Sequence, residues 1–567
     1  MKWALLLTLL LAAVLRVAAL DFGLDRHDPS RAILHHQQDE EGMTDAVWRG
    51  LLHGDWNPGP FMLWGSAGYY LFGLADAAVF WPRSWFHPGG WQGVLDDLER
   101  NPCDLHLVQR GVSVLASLAM LVVVWRMARR LLGERGGLIA AVLLAVCYLA
   151  VREAHFGTLD TLVALWIVLA VDACLSLAEA PSRRHAIAAG VWTGLAAATK
   201  YSGGVVALCV AAAVIAAARR PPGGARPPLA RVVREWLLPA ALAAAAAFVA
   251  FSPQVVFAFD QLREALSFQQ QTIGVRPEQD SLWTLAWHHL RHSFGAGLGE
   301  VALPLAAVGA VLAWRRGGQA RMLVICLLLL LPMFVVARSK AVRYGIAHVA
   351  LLSVLAALAI ETLAGRGSAL GAAGVSGAAA AARRVRPALL AALLLLAAGP
   401  SLVRSVCFDR ALGGRDTRLD VIDYLRGRGL PPEEVVAVGN YGLPRPSLLG
   451  ARKHLAGPPL YTDYLFRVHL ARPEARLSQE EGRTLRPRLL LRDPTLEIFD
   501  VFGWDDFAAT AAREYRVDFQ IDARVDPAAA PLPDLVAGTP AFLLPFDNPW
   551  AMSRPGPPIT IFERIAP

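Results

Sequence analysis

Apolar blocks of about 17 to 25 residues, the length that crosses a ~30 Å hydrocarbon core, recur along the first 403 residues and are separated by short polar or basic breaks. The first, MKWALLLTLLLAAVLRVAAL at residues 1–20, reads as an uncleaved span, because no small-x-small cleavage site follows it and more spans do. Residues 21–105 then form a long outer loop rich in Trp, Pro and Gly. A second span over 107–125 ends on Arg126, Arg129, Arg130 and Arg135, and a third returns by Val151. The fourth runs from Leu159 to Arg183 and Arg184, the fifth to Lys200, the sixth to Arg219 and Arg220, and the seventh to Phe259. The eighth descends to Arg315 and Arg316, the ninth rises to Arg338, and the tenth leads to an Ala/Gly linker closing on Arg383, Arg384 and Arg386. The last covers 388–403. This makes about eleven spans. With the N-terminus inside, every basic cluster between spans faces the cytoplasm except the one at 338–343. An odd count places residues 404–567 outside, on the side of loop 21–105.

Beyond residue 404 the pattern is that of a soluble domain. Asp416 is placed to cap a helix over 417–427, where Leu419, Ile422 and Leu425 repeat at helical spacing. Strand-like runs follow at 435–439, 488–491, 517–521 and 559–565. The expected architecture is an α-helical polytopic membrane domain, 1–403, joined to an extracytoplasmic α/β domain, 404–567.

Composition agrees, with 55% hydrophobic and only 18% charged residues. The net charge of +8 resides in the short basic breaks, so it reads as membrane topology, and no nucleic-acid partner is expected. The Ala- and Arg-rich usage is that of a GC-rich bacterial genome. Of six cysteines, Cys147, Cys174, Cys209 and Cys326 fall in apolar blocks as small buried hydrophobes; a Cys103–Cys407 disulfide has no support in the pattern. No phosphate-cradling glycine motif, zinc spacing or nucleophile elbow appears in the tail.

The candidate chemistry gathers on the outer side. Within loop 21–105, Met43, Val47, Trp48, Leu51 and Leu52 share one helical face, with Thr44, Asp45 and Arg49 opposite. That describes an amphipathic helix on the membrane surface, headed by Asp39 and Glu40, whose plain role is to cap it and answer its dipole. Residues 61–80 are apolar but carry glycines and Asp76, as an interfacial or re-entrant piece would. Arg16 inside the first span implies a bundle-interior or polar-cavity position. Arg110 at the start of span two, His155 and Asp160 in REAHFGTLD, and Lys200 in GLAAATKYSG all open to the same face as Asp39. Charges at span ends can simply snorkel; acids and bases converging on one face describe a substrate cavity.

Asp39–Glu40, HGDWNPGPFMLWGSAGYYLFG at 53–73, QRGVSVLASLAMLVVVWRMARRLLG at 109–133, AHFGTLD at 154–160, GLAAATKYSG at 194–203 and VRYGIAH at 342–348 together resemble the polytopic glycosyltransferases of family 39. These are the protein O-mannosyltransferase and aminoarabinose transferase group, of GT-C fold. Asp416–Arg418 (DTR) also recurs in prokaryotic relatives. Gln38 stands where relatives often carry Pro, and His348 where they have Pro nearby. The tail lacks MIR repeats, so a protein hydroxyl acceptor is not implied, and the WWDYG signature of Asn glycosylation is absent.

The resemblance implies transfer of a sugar, with inversion, from a polyprenyl-phosphate donor to a lipid, glycan or protein acceptor outside a bacterial inner membrane. It casts Asp39 as the base, with Glu40 beside it to position the acceptor. Arg110, Lys200 and Arg343 are the cations for the departing phosphate, and His155 and Asp160 orient donor or loop. No cofactor is expected and no metal set is evident; a divalent ion on Asp39, Glu40 and His155 stays open. The alternative is a secondary transporter, which would be expected to show internal repeats and broken midplane helices.

Overall fold

The computed structural model describes residues 2–24, 38–58, 64–219, 227–264, 267, 281–337, 340–366, 376–428, 435–438, 489–492, 514–522, 549–555 and 559–565. The chain divides into two compact units. The first holds Met1–Ala18, His53–Ala75 and Gln109–Val406; the second holds Ala19–Leu52, Asp76–Val108 and Cys407–Pro567.

In chain order the helices are α1 (Lys2–Val17), α2 (Gln38–His53), α3 (Ala67–Ser84), α4 (Gly90–Arg100), α5 (Cys103–Val146), α6 (Tyr148–Ala154), α7 (Leu159–Glu179), α8 (Arg183–Thr199) and α9 (Ala207–Arg219). After them come α10 (Leu229–Phe251), α11 (Leu282–His288), α12 (Ala302–Arg316), α13 (Gly318–Leu330), α14 (Pro332–Ala337), α15 (Ile346–Arg366), α16 (Ser376–Leu412) and α17 (Thr417–Arg428). Among the described residues, 6 helices are long and apolar enough to cross a membrane: Cys103–Val146, Leu159–Glu179, Tyr201–Arg219, Leu229–Phe251, Val342–Gly365 and Pro387–Leu425. All eleven expected blocks are helical, and the lower number has two causes. The blocks at α1, α8, α12 and α13 form helices of only 16, 17, 15 and 13 residues. The second and third blocks share Cys103–Val146, which breaks at Gly133, where φ is 84°. That left-handed backbone is open to glycine and strained for other residues.

The first unit packs through small residues. A Cβ on Gly190 would stand 2.2 Å from the Ala240 carbonyl oxygen, and one on Gly194 2.3 Å from that of Ala244. The GxxxG face of α8 therefore lies backbone to backbone on α10. Arg16 is fully buried and donates to Ser117 Oγ at 2.8 Å and to the carbonyls of Ala12, Ala145 and Leu144 at 3.0, 2.8 and 3.2 Å. The last two belong to the final turn of α5, whose carbonyls have no helical partner of their own. On the side expected to face inward, Asp172 pairs with Arg126 and Arg130, and Glu361 receives Arg135 Nε at 2.6 Å.

In the second unit, the apolar face of α2 meets α3 and α4 in a core of Trp48, Phe80, Val94, Leu95, Leu98 and Leu105. The polar face expected to meet water is buried too: Thr44 is 1% and Asp45 5% exposed. Residues 59–63, at the start of the stretch expected to be re-entrant, lie outside the described residues, and the chain beyond them winds into α3. The tail forms a sheet of β1 (Val435–Val438), β2 (Leu489–Arg492), β3 (Tyr515–Ile521) and β4 (Ile559–Arg564), ordered β1-β2-β4-β3. β1 and β2 are parallel, and β4 runs antiparallel to both β2 and β3. α17 covers it through Val421 and Leu425 against Leu489, Ile559 and Ile561. Asp416 caps α17 as expected, accepting the Arg418 N–H at 2.9 Å, and its carboxylate also takes the Arg418 guanidinium. All six cysteines are free thiols.

Candidate active site

Three of the predicted residues come together in the first unit. Asp160 sits in the first turn of α7, where a carboxylate suits the helix dipole. Lys200 follows the last residue of α8; the chain turns extended there (φ −152°, ψ 123°) before the 3-10 turn Tyr201–Val206. Its ammonium donates to Asp160 Oδ1 at 2.8 Å and lies 4.6 Å from the centre of the Tyr344 ring. Arg343, in the 3-10 turn Val342–Gly345, brings Nε to 3.4 Å from Asp160 Oδ2. Asp160 and Lys200 are 3% and 6% exposed, so both cations face one carboxylate largely out of water.

Beside this cluster, α6 carries a second ion pair that residue-type reasoning passed over. Arg152 and Glu153 are each 1% exposed and pair with one another, while Glu153 Oε2 has no hydrogen-bond partner among the described residues. Burial raises the Glu153 carboxyl above its ordinary pKa against the pull of Arg152. Its backbone carbonyl accepts from Thr161 Oγ1 at 3.1 Å, which ties α6 to the turn holding Asp160. The only sequence signal for Glu153 was its place in REAH, two residues before His155.

His155 occupies a different setting. Its Nδ1 lies 2.9 Å from the Val151 carbonyl oxygen and its Nε2 2.9 Å from that of Ala18. Burial brings its pKa down to about 4, so the ring is neutral near pH 7 with a single N–H between two acceptors. Both nitrogens face backbone, an arrangement for fixing the turn between α6 and α7 and a poor one for a metal ligand. Arg110, on α5, is fully buried and close enough to His155 to oppose its protonation. His348 of VRYGIAH is buried between Phe334 and Phe294, with ring centres 4.7 and 5.6 Å away.

The acidic pair of loop 21–105 belongs to the second unit. Asp39 lies in the first turn of α2, and its side chain is outside the described residues. Glu40 is fully buried, with Oε1 4.0 Å from Nδ1 of His106, a residue no sequence pattern singled out.

Residues 105–257, which hold Arg110, His155, Asp160 and Lys200, match the family described as dolichyl-phosphate-mannose-protein mannosyltransferase. No curated protein matches the chain in sequence. Among solved structures, the Archaeoglobus fulgidus oligosaccharyltransferase tethered to an acceptor peptide superposes with a TM-score of 0.51 at 14% identity, over 92% of this chain and 72% of that one. The chain has the GT-C membrane fold. The same archaeal enzyme, AglB, in complex with an inhibitory peptide and a dolichol-phosphate, gives a TM-score of 0.50 at 14% identity over 93% of this chain and 73% of that one. ArnT from Cupriavidus metallidurans is 17% identical over 90% of this chain and 95% of its own, with a TM-score of 0.49. The GT-C fold and the candidate spans make this a multi-pass membrane protein.

Proposed function

We propose that this GT-C protein transfers a sugar from a polyprenyl-phosphate donor to an acceptor on the outer face of a bacterial inner membrane, with inversion at the anomeric carbon. The observation that carries the reading is the buried set of Lys200 and Arg343 on the single carboxylate of Asp160. Both cations are gathered at one buried carboxylate, and an arriving phosphate oxygen can take up either of them while the other stays on Asp160. Arg110, buried in the family-matched segment, is the third cation for that phosphate. A dolichol-phosphate in the complex of an enzyme of the same fold supports a lipid-phosphate donor.

The bond changes are few. The acceptor hydroxyl or amine attacks the anomeric carbon, the bond from that carbon to the phosphate oxygen breaks, and the acceptor's proton passes to Asp39. Polyprenyl phosphate departs as an anion that the cations stabilise, so no acid is needed on the leaving side. Glu40 positions the acceptor side. His155 and Asp160 serve by orientation, as their contacts favour.

Mass analysis of envelope lipids and glycans tests this in a deletion strain carrying the wild-type chain, Arg110→Ala or Arg183→Ala. Arg183 is exposed at the start of α8, and its loss should be silent. One glycosylated species should vanish on deletion, return with wild type and Arg183→Ala, and stay absent with Arg110→Ala. An unchanged envelope on deletion, or equal behaviour of the two variants, would remove the phosphate-site reading.

A further inference from the structure

Glu40 is 0% exposed, in a unit whose adjoining core is wholly apolar. A carboxylate in such a place needs compensation. Thr44, one helical turn further along α2 and 1% exposed, donates its hydroxyl hydrogen to the Glu40 carbonyl at 3.1 Å. With that hydrogen committed, Thr44 Oγ1 is left to accept, and the ring atom 3.3 Å from it is His106 Nδ1. A hydrogen on Nδ1 fits this contact, and the same atom stands 4.0 Å from Glu40 Oε1, beyond hydrogen-bond reach but on the side where a positive edge suits a carboxylate. His106 lies in the first turn of α5 and is 1% exposed.

We infer that His106 is a positioning residue for the transfer reaction. Its Nδ1–H holds Thr44 on α2, with the Glu40 carboxylate beside it, and so sets the rotation and height of the turn that carries Asp39. The inference rests on the function proposed above. A purely structural role would be met as well by an apolar side chain, since a buried polar trio beside an apolar core gains little stability over a well-packed hydrophobic one. What the trio adds is direction. One fixed donor on α5 holds the Thr44 hydroxyl of α2, with the Glu40 carboxylate beside it, which fixes the register of the helix.

The geometry dictates the test. The side-chain amide nitrogen of Asn falls near the position of Nδ1, and that of Gln near Nε2. His106→Asn keeps the donor where the clamp needs it, and His106→Gln moves it away. We expect kcat of His106→Asn within about 3-fold of wild type and that of His106→Gln lower by about 10- to 100-fold, the scale of an ångström's misplacement of a reacting group. The KM for the polyprenyl-phosphate sugar should change little in either. The measurement uses the purified full-length chain in nanodiscs, with thermal melts of both variants.

Equal kcat for the two variants, or loss that appears only in KM, overturns the inference. If His106→Gln does not accumulate, Thr44→Val deprives Nδ1–H of its acceptor while keeping the side-chain shape, and an unchanged kcat there overturns it equally. Wild-type chain that transfers from no polyprenyl-phosphate sugar would bring down the proposed function, and this inference with it. An active wild type with matching Asn and Gln variants removes this inference alone.

Discussion

His155 is a histidine kept neutral by burial, against the pull of two backbone carbonyls, and its protonation is linked to folding. The folded ring titrates near 4, whereas an unfolded histidine titrates near its ordinary 6.5. Between these values the unfolded chain binds more protons, so the stability tied to this ring is intact above pH 6.5 and is lost as pH falls toward 4. Melting temperatures at pH 7 and 4.5 should therefore drop more in wild type than in His155→Asn. Parallel drops would mean that the ring is not held neutral. Residue roles were partly legible from type and place. Asp160 and Lys200 stood out as charges opening to one face, and Arg343 through the resemblance of VRYGIAH, but their direct pairing did not, since Asp160 and Arg343 lie far apart in sequence and no local period links them. The approach of Glu40 to His106 escaped for the same reason, and a lone His within an apolar run carries no signal of its own.

Among the elements, the helices were the most readable part, because a span must satisfy its backbone internally and therefore shows as one unbroken apolar block. The four strands described were readable too, as short apolar runs that recur within a residue or two of the expected bounds. The polar side of α2 was misread, since apolar periodicity marks the face that seeks a core and leaves open whether water or protein meets the other. Thr44 and Asp45 meet protein. Packing of α8 on α10 gives a direct element-scale prediction. Gly194→Leu places side-chain atoms where the Ala244 backbone already stands, 2.3 Å from the new Cβ, and the Ala247 Cβ stands 2.8 Å away. The variant should melt well below wild type in detergent, by the few kcal/mol typical of overpacking, about 1–3 or more. Gly111→Ala, with nothing within 4 Å of its Cβ, should melt at or above wild type. Similar melts for the two would mean that α8 and α10 are not in backbone contact.

At the level of the whole molecule, hydropathy made the polytopic helical architecture and the α/β tail legible. The grouping of loop 21–105 was not, since residues 19–52 and 76–108 associate with 407–567 in one compact unit. That association joins segments hundreds of residues apart and rests on tertiary packing alone. The central claim is that this GT-C architecture breaks a sugar–phosphate bond with Asp39 as the base, where a transporter would leave that bond intact. The most direct test measures polyprenyl phosphate released from a polyprenyl-phosphate sugar, mole for mole with glycosylated acceptor, by purified wild type and Asp39→Asn. Asn caps a helix about as well as Asp but cannot take up the acceptor's proton. The account predicts equal melting temperatures and a rate lower by roughly 10²-fold or more in Asp39→Asn. A variant as active as wild type, or a wild type that releases no polyprenyl phosphate, would contradict it.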